Sequence, residues 1–484
     1  MTLLQADDVA VFDASGRALV HPVSLRLDAG APLVVLGETG SGKSLLAQAL
    51  MGTLPPELWA RGRVRIAEAE HDAAQPQGFR RLWGRAVAVL PQEPWLSLDP
   101  LMRARAQVAE AHALVRGLAP VAARRAAAAD LAALGLGDEA GRRYPHELSG
   151  GMAQRVAFAA ARAGGARIVV ADEPTKGLDA ARRDEVARLL TRALETGGGL
   201  LAITHDLALA QLLGGRLIVM REGAVVESGP LAEIFAAPQA DYTQKLLDAD
   251  PARWPRRARR AAGPSVVEGR RLTVSRGGRA LVEGLDLTLR AGEIVGVSGP
   301  SGCGKSSLGD ALLGLHAPAC GAVRRIEGVA RTAFQKLYQD PVSAFPRRRA
   351  LGATLADVAR RFGRRRAEVE ALLARLDLAP ALLARRPEQV SGGELQRLAL
   401  LRVMLAEPRF LFADEPTSRL DPITQRGVID LIATLAEEGC SVLLVSHDAA
   451  LLDRTADWRM ALGGHGTAEA AGRAAPAVAL GAAG

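Results

Sequence analysis

Cysteine is scarce in this sequence. The 484 residues contain only Cys303, Cys320 and Cys440. The number is odd, and no two of these cysteines form a CxxC pair. Such a set predicts neither a disulfide framework nor a zinc site, and it is typical of a protein of the reducing cytosol.

Long apolar runs and aromatic residues are scarce too. No stretch reaches the roughly 20 apolar residues that a membrane-spanning helix needs, and aromatic residues make up only 4% of the chain. The first residues, MTLLQADDVAVF, lack the pattern of a signal peptide. We therefore expect a chain without membrane spans. If it serves a membrane process, another chain must cross the bilayer.

Length and charge set the next bounds. The chain is longer than a usual single domain, and its 49% hydrophobic content allows each of two or three domains to bury a core. The net charge of +8 favours an anionic partner, either nucleic acid or the cytoplasmic face of a membrane. Because the arginines are spread along the chain, we interpret most of them as solvated helix faces. The densest cluster runs from Arg253 to Arg260.

The two halves of the sequence repeat one another. The same motifs occur in the same order in both halves: GETGSGKS (37–44) and GPSGCGKS (299–306), LSGGMAQR (148–155) and VSGGELQR (390–397), VVADEPTKGLD (169–179) and LFADEPTSRLD (411–421), AITHD (202–206) and LVSHD (444–448). We predict a first domain over 1–250 and a second over 265–484. An exposed basic linker over 251–264 would join them. The Ala/Gly-rich tail at 466–484 is expected to fray.

Each half contains the pattern G-x-x-x-x-G-K-S between an apolar strand and a helix, which predicts a phosphate-binding loop. Glycines let backbone N–H groups turn toward the phosphates, and the helix N-terminus adds partial positive charge. Lys43 and Lys305 are placed to reach the β- and γ-phosphates of ATP, and Ser44 and Ser306 to ligate Mg²⁺. The glycines expected to contact the nucleotide are Gly37, Gly40, Gly42, Gly299, Gly302 and Gly304.

An acidic pair follows a second apolar strand in each half. Asp172 and Asp414 end the segments RIVVAD and RFLFAD, and carboxylates at such strand ends face the nucleotide crevice of an open α/β sheet. We expect these aspartates to hold Mg²⁺. Glu173 and Glu415 come next and are placed to orient or deprotonate the attacking water.

With these motifs the sequence resembles the ABC ATPase family over nearly its whole length. The resemblance implies an α/β fold with two P-loop NTPase domains, each with a RecA-like α/β core, an antiparallel β subdomain and an α-helical subdomain. The two SGG motifs resemble the family signature, which binds the γ-phosphate of ATP held by the opposite domain. The domains of this chain would pair intramolecularly in place of a homodimer. The implied signature residues are Ser149, Gly150, Gly151, Ser391, Gly392 and Gly393.

Three further residue pairs resemble positions with roles in that family. They resemble the Q-loop glutamines that contact Mg²⁺ or water and sense the permease, the switch histidines that contact the γ-phosphate, and the D-loop aspartates that communicate across the dimer. In that order, the pairs are Gln92 and Gln339, His205 and His447, and Asp179 and Asp421.

Adenine stacking distinguishes the two halves. The family usually has an aromatic residue before the first phosphate-loop strand, and Phe12 can serve there, although a place in the strand core is an equal reading. The second half has no aromatic residue between Trp254 and Phe334. Arg276 can stack in its place. We therefore expect weaker base selectivity in the second half.

Other segments resemble the oligopeptide/dipeptide/nickel importer branch of the family, namely SGGMAQR, PQADYTQKLL (238–247) and QDPVSAFPRR (339–348). The resemblance implies two integral-membrane permease subunits and an extracytoplasmic substrate-binding protein as partners. It places the chain peripherally at the cytoplasmic side of the cell membrane. The short linker and the lack of zinc modules or coiled coils argue against ribosomal and DNA-repair members, so no nucleic acid partner is expected.

A second class of function stays open at this point. ATPases of soluble enzyme assemblies, such as phosphonate-cleavage complexes, resemble the same branch. Neighbouring permease genes or co-purification with membranes would separate the two functions. Nucleotide-binding domains do not touch the cargo, so peptides, nickel and metal chelates all remain open as transported solutes.

Overall fold

The computed structural model describes residues 1–91, 94–175, 178, 180–195, 197–259, 261, 263–300, 302–418, 420–463 and 468–471. The predicted site residues Gln92 and Asp179 lie outside the described residues, as does most of the tail at 466–484. The chain forms two compact units, Met1–Asp248 and Ala249–Gly484.

Both strands and helices build the first unit. Its strands are β1 Thr2–Phe12, β2 Ala18–Asp28, β3 Pro32–Leu36, β4 Trp59–Ile66, β5 Ala69–Asp72, β6 Val87–Leu90, β7 Ile168–Asp172, β8 Gly199–Thr204, β9 Arg216–Arg221 and β10 Ala224–Pro230. Its helices are α1 Lys43–Met51, α2 Ala104–Arg116, α3 Pro120–Ala133, α4 Asp138–Arg142, α5 Gly150–Arg162, α6 Ala180–Glu195, α7 Leu207–Leu213, α8 Leu231–Ala236 and α9 Asp241–Asp248.

Two sheets and a helical cluster divide the first unit into three parts. One sheet is antiparallel, with the order β2-β1-β4-β5, and the other has the order β10-β9-β3-β8-β7-β6. In the second sheet β3, β6, β7, β8 and β9 run parallel, and β10 pairs antiparallel with β9. Strands β3 and β8 are buried along their whole length, which suits parallel strands covered on both faces. Helices α2, α3 and α5 pack around an alanine-rich core.

The second unit repeats this plan. Its strands are β11 Ser265–Arg276, β12 Arg279–Arg290, β13 Ile294–Ser298, β14 Cys320–Arg325, β15 Phe334–Leu337, β16 Phe410–Asp414, β17 Ser441–Val445, β18 Trp458–Leu462 and β19 Ala468–Ala471. Its helices are α10 Lys305–Leu313, α11 Leu351–Arg361, α12 Arg366–Arg375, α13 Gly392–Met404, α14 Pro422–Glu437 and α15 Ala449–Thr455.

The large sheet has the same strand order in both units, whereas the antiparallel sheet has four strands in the first unit and three within the described residues of the second. The second unit has an antiparallel sheet β12-β11-β14 and a mostly parallel sheet β15-β16-β17-β13-β18-β19, in which β13 stands where β3 stands in the first unit. The tail residues of β19 pair antiparallel with β18, as β10 pairs with β9. The predicted fold class, with an α/β core, an antiparallel sheet and a helical part in each unit, is confirmed.

The sequence predicted that the basic segment after the first unit is exposed. The structure shows that part of this segment is buried. Trp254 is only 5% exposed and belongs to the core of the second unit, with the Arg426 guanidinium 4.9 Å from its ring centroid. Arg257 donates to Asp457 over 2.8 Å. An aromatic ring gains more by burial than by solvation, which explains why this part of the segment packs. Arg260 lies outside the described residues.

Within the described part of the chain, no helix is long and apolar enough to cross a membrane.

Candidate functional site

The phosphate loop of the first unit joins the end of β3 to the start of α1. Gly42 caps the helix in the left-handed region, with φ of +94°, a conformation that glycine adopts at no steric cost. At Gly37 an added Cβ would lie 2.2 Å from the backbone oxygen of Met220, so only glycine fits against β9. The Lys43 ammonium donates to the carbonyl oxygens of Gly37 and Glu38 over 2.8 and 2.6 Å.

The second unit has the same loop between β13 and α10. Gly304 caps α10 with φ of +105°, and an added Cβ at Gly299 would lie 2.5 Å from the backbone oxygen of Leu462. Lys305 donates to the carbonyl oxygens of Gly299 and Pro300 over 2.8 and 3.0 Å. In both loops the lysine ammonium therefore donates to two backbone carbonyl oxygens of the loop itself.

A serine and an aspartate meet beside each loop. The Ser44 hydroxyl donates to Asp172 over 3.0 Å, and the Ser306 hydroxyl donates to Asp414 over 3.1 Å. Burial raises the pKa of Asp414 above its ordinary value, against the hydrogen bond from Ser306 and the charge of Lys336. Hydroxyl and carboxylate oxygens are the hard ligands that Mg²⁺ prefers, together with phosphate oxygens. The donor atoms present in both units thus fit a magnesium ion.

A glutamate and a histidine form a pair at the same sheet edge in each unit. His205 Nδ1 lies 2.7 Å from Glu173 Oε2, and His447 Nε2 lies 2.6 Å from Glu415 Oε1. The two histidines use different ring nitrogens, but each is brought to the glutamate by the strand next to it. The spacing of the sequence motifs predicted that these residues belong to one site, and the structure brings them together.

Both glutamates have left-handed backbone conformations, with φ of +49° at Glu173 and +47° at Glu415. Such a conformation is uncommon for a non-glycine residue and costs of order 1–3 kcal/mol. Their backbone N–H groups donate to Ile203 and Val445 on the neighbouring strands. The same strained conformation in both units, held by the same kind of contact, indicates that the direction of the carboxylate matters.

The environment of Glu173 keeps its carboxylate charged. Burial raises its pKa, but the hydrogen bond from His205 and the charges of His205 and Lys43 outweigh that effect, so the pKa lies below its ordinary value. A charged carboxylate at this place can orient a water molecule or accept its proton.

The remaining predicted residues of the second unit lie close by. Gln339 donates to Glu415 over 2.9 Å, so this glutamine does reach the acidic pair. Asp421 is buried and caps α14 by accepting from the Thr424 N–H over 2.9 Å. Its counterpart Asp179 and the glutamine Gln92 are outside the described residues.

The signature serines begin helices. Ser149 caps α5 and accepts from the Met152 N–H, and Ser391 caps α13 within a capping box formed with Glu394. Ser149 and Ser391 are both exposed. The exposed N-terminus of α5 is suited to bind an anion, whereas at α13 the Ser391 N–H and hydroxyl already donate to the Glu394 carboxylate over 2.8 Å.

Phe12 lies at the end of β1 and is half-buried. Its ring stacks on Trp59 with centroids 4.4 Å apart, and the Arg61 guanidinium is 5.2 Å from its centroid. In β11 the corresponding position is Ser275, because each residue follows a left-handed residue by four positions (Asp8 and Arg271). The aromatic character of this place is therefore confined to the first unit.

We expect the first site to bind ATP more weakly when Phe12 is replaced by leucine. A ring that stacks on a base contributes about 1 kcal/mol, so the affinity should fall by roughly fivefold. GTP should lose about as much, because every base presents a π-face. Titration with each nucleotide, with the second site silenced by Lys305→Met, measures this. Trp59→Leu is the matched control for loss of the aromatic pair. An unchanged affinity in Phe12→Leu would show that Phe12 is only a strand residue.

Sequence reasoning missed the role of one residue near the first loop. Tyr242, on α9, is 6% exposed, and its hydroxyl accepts from the Glu38 backbone N–H over 3.2 Å. Arg221 lies over its ring at 5.2 Å. The Glu38 carbonyl in turn holds Lys43. The DYT motif was visible in the sequence, but no local pattern connects it to a loop some 200 residues earlier.

We expect Tyr242→Phe to weaken ATP binding at the first site by roughly threefold to tenfold, because a hydrogen bond of this kind contributes about 1 kcal/mol. The phenylalanine keeps the ring and its contact with Arg221. Titration with ATP in a Lys305→Met background measures the change. Binding at the second site should not change, and a loss there of the same size would point to general destabilisation.

Comparison with known proteins agrees with this geometry. The sequence profile of the ABC transporter family matches residues 20–176 and 282–418. The chain is 33% identical to the peptidoglycan transport ATP-binding protein YejF of Agrobacterium fabrum (strain C58 / ATCC 33970), over 92% of this chain and 88% of that protein. It is 32% identical to the glutathione import ATP-binding protein GsiA of Escherichia coli (strain K12), over 91% of this chain and 81% of that protein.

Among solved structures, the RNase-L Inhibitor aligns with a TM-score of 0.65 over 96% of this chain and 90% of that chain, at 22% identity. This similarity supports the fold alone. The family profile and the relatives show that the chain belongs to the ABC transporter family. It is a tandem ATPase of that family, with an ATP-binding domain in each half.

Proposed function

We propose that this chain is the ATP-hydrolysing subunit of an ABC importer. The observation that carries the proposal is that both units keep the full set of lysine, serine, aspartate, glutamate and histidine around one sheet edge. Each site would bind ATP through its loop lysine and serine. Ser44 with Asp172, and Ser306 with Asp414, would hold Mg²⁺, which neutralises phosphate charge when bound.

The glutamates carry the next step of the proposal. Glu173 and Glu415 would orient the water that attacks the γ-phosphate, while His205 and His447 keep each carboxylate in place and contact that phosphate. We further propose, on the family resemblance, that Ser149 and Ser391 each act on ATP held by the other half of the chain. Gln92 and Gln339 would sense the permease, and Asp179 and Asp421 would link the two halves.

Two permease subunits and an extracytoplasmic binding protein are the partners we propose, with this chain bound at the cytoplasmic face of the cell membrane. The support is the similarity, over nearly the full length, to proteins named for peptidoglycan transport and glutathione import. Both names refer to molecules that contain peptide, so we favour a peptide-derived solute over nickel. The two names do not favour the soluble enzyme assembly.

Purification from native membranes tests this function. A tagged copy of the chain should be recovered with integral membrane chains in mild detergent. Vesicles that contain those chains, with the binding protein outside, should take up a peptide-derived solute only when ATP and this chain are present inside. A Glu173→Gln/Glu415→Gln copy is the matched control, since it should assemble but not support uptake. Recovery with a soluble enzyme complex and no membrane chain would overturn the proposal.

A further inference from the structure

The second unit contains an ion cluster beside Asp414. The Lys336 ammonium lies 2.7 Å from Asp310 Oδ1 and 3.7 Å from Asp414 Oδ2. The Ser306 hydroxyl bonds the other carboxylate oxygen, Oδ1, of Asp414. The lysine side chain is 12% exposed. Asp414 is thus shared between the serine at the phosphate loop and a buried positive charge on the other side.

Several elements hold Lys336 in this place. It projects from β15, and its ammonium lies 5.3 Å from the Tyr338 ring centroid and 5.0 Å from that of Phe412. Asp310 lies on α10, five residues after Lys305. The Arg276 guanidinium lies 3.8 Å from Asp310 on the exposed side of the cluster. Arg276 therefore forms an ion pair with Asp310, besides the base stacking that the sequence suggested for it.

The first unit has no charge at either corresponding position. Val89 on β6 pairs with Val170, two residues before Asp172, just as Lys336 on β15 pairs with Phe412, two residues before Asp414. Gln48 follows Lys43 by five residues, as Asp310 follows Lys305. The lysine and its aspartate therefore distinguish two sites that otherwise share their residues.

An ammonium this close to a metal-binding carboxylate has two electrostatic effects. It repels a divalent cation that shares the same carboxylate, and it offsets part of the charge on bound phosphates. Asp310 weakens both effects because its carboxylate, 2.7 Å from the ammonium, offsets part of the positive charge of Lys336. Little water reaches the cluster to screen them.

We infer that Lys336 is a specificity-determining residue that lowers the affinity of the second site for its divalent cation and makes ATP binding there less dependent on metal. The inference rests on the proposed function of the second site in binding ATP with Mg²⁺. It predicts two sites in one chain with different metal requirements.

Mn²⁺ binding to the ATP complex of the full-length chain tests this inference, with electron paramagnetic resonance as the readout. Lys43→Met leaves the second site to be measured, and Lys305→Met leaves the first. The second site should bind Mn²⁺ roughly threefold to tenfold more weakly than the first. Equilibrium dialysis with ATP in EDTA should show a smaller loss of ATP affinity at the second site. Equal Mn²⁺ affinities at the two sites would overturn the inference.

Substitutions in the cluster should move the Mn²⁺ affinity in opposite directions. Lys336→Met keeps the stem and its contact with the aromatic rings, and it should raise the affinity. Asp310→Asn removes the carboxylate that offsets the charge of Lys336, so Asp414 becomes the remaining carboxylate near the ammonium. This variant should lower the Mn²⁺ affinity. The double variant Lys336→Met/Asp310→Asn should bring the second site close to the first, whereas Lys336→Arg should leave it near the original value.

Two results separate failure of the inference from failure of the proposed function. If the second site binds no ATP in the Lys43→Met background, with or without metal, the proposed function of that site fails and the inference fails with it. If ATP binds but Lys336→Met and Asp310→Asn shift Mn²⁺ affinity in the same direction, only the inference is overturned. Melting curves without nucleotide identify variants that fold poorly. If a single variant does so, the double variant Lys336→Met/Asp310→Asn, which removes both charges together, is measured in its place.

Discussion

Replacing Glu173 by glutamine is expected to slow ATP hydrolysis at the first site by roughly 10²-fold or more, and Glu415→Gln should do the same at the second. Glutamine has nearly the same size and retains one acceptor oxygen. The left-handed backbone should therefore survive in both units, together with the backbone hydrogen bond from residue 173 to Ile203 and the one from residue 415 to Val445. The change removes the negative charge that orients and polarises the attacking water. ATP binding should remain.

The two single variants should therefore behave alike. Both units carry the glutamate with a similar positive φ and with a histidine nitrogen within 2.7 Å of the carboxylate, so the structure gives no ground for one silent site. Single-turnover hydrolysis measures each variant, with bound ATP counted after rapid gel filtration. The double variant should retain two ATP molecules. Loss of turnover in Glu173→Gln with normal turnover in Glu415→Gln would show that the second site is regulatory.

His205→Gln and His447→Gln serve as matched controls for this experiment. They remove the imidazole contact but leave the negative charge of the carboxylate, so hydrolysis should fall by less than in the Glu173→Gln and Glu415→Gln variants. If the histidine variants lost as much activity, the role of the glutamate would lie mainly in holding its histidine.

The site could be predicted from sequence wherever local patterns fix it. Apolar runs bounded by glycine predicted β3 and β13, and the loops that follow them are set by glycine conformations that no other residue adopts easily. Asp172 and Asp414 were correctly expected at strand ends. Parallel strands bring such ends to one edge of a sheet, which is why residues far apart in the chain, such as Ser44 and Asp172, could be assigned to one place.

Contacts that depend on tertiary packing were not predictable in the same way. The hydrogen bond between Glu38 and Tyr242 joins the two ends of one unit, and nothing in either segment indicates the other. Lys336 and Asp310 read as ordinary charged residues in sequence, since only the register of β15 against β16 places the ammonium beside Asp414. Trp254 stood in a basic, proline-rich segment that favours exposure, and its burial comes from the core of the second unit.

The phosphate-loop lysines should have the second large effect. Lys43→Met is expected to weaken ATP binding at the first site by roughly 30- to 150-fold, because a charge-assisted hydrogen bond is worth about 2–3 kcal/mol. Methionine matches the length of the lysine stem but cannot donate to a phosphate or to the Gly37 and Glu38 carbonyls. Lys305→Met should have the same effect at the second site.

Stoichiometry is the sharpest readout for these variants, because each lysine lies within the loop of its own unit. Equilibrium dialysis at an ATP concentration roughly tenfold above the original dissociation constant should show the bound ATP falling from nearly two molecules per chain toward one in either single variant, and toward none in the double. Lys43→Arg is the matched control. It keeps the charge, but the lysine side chain is only 5% exposed, so the larger guanidinium should bind ATP more weakly than the original chain and more tightly than Lys43→Met. Two ATP molecules still bound in the double variant would show that the nucleotide is held elsewhere, and the assignment of both loops would then be wrong.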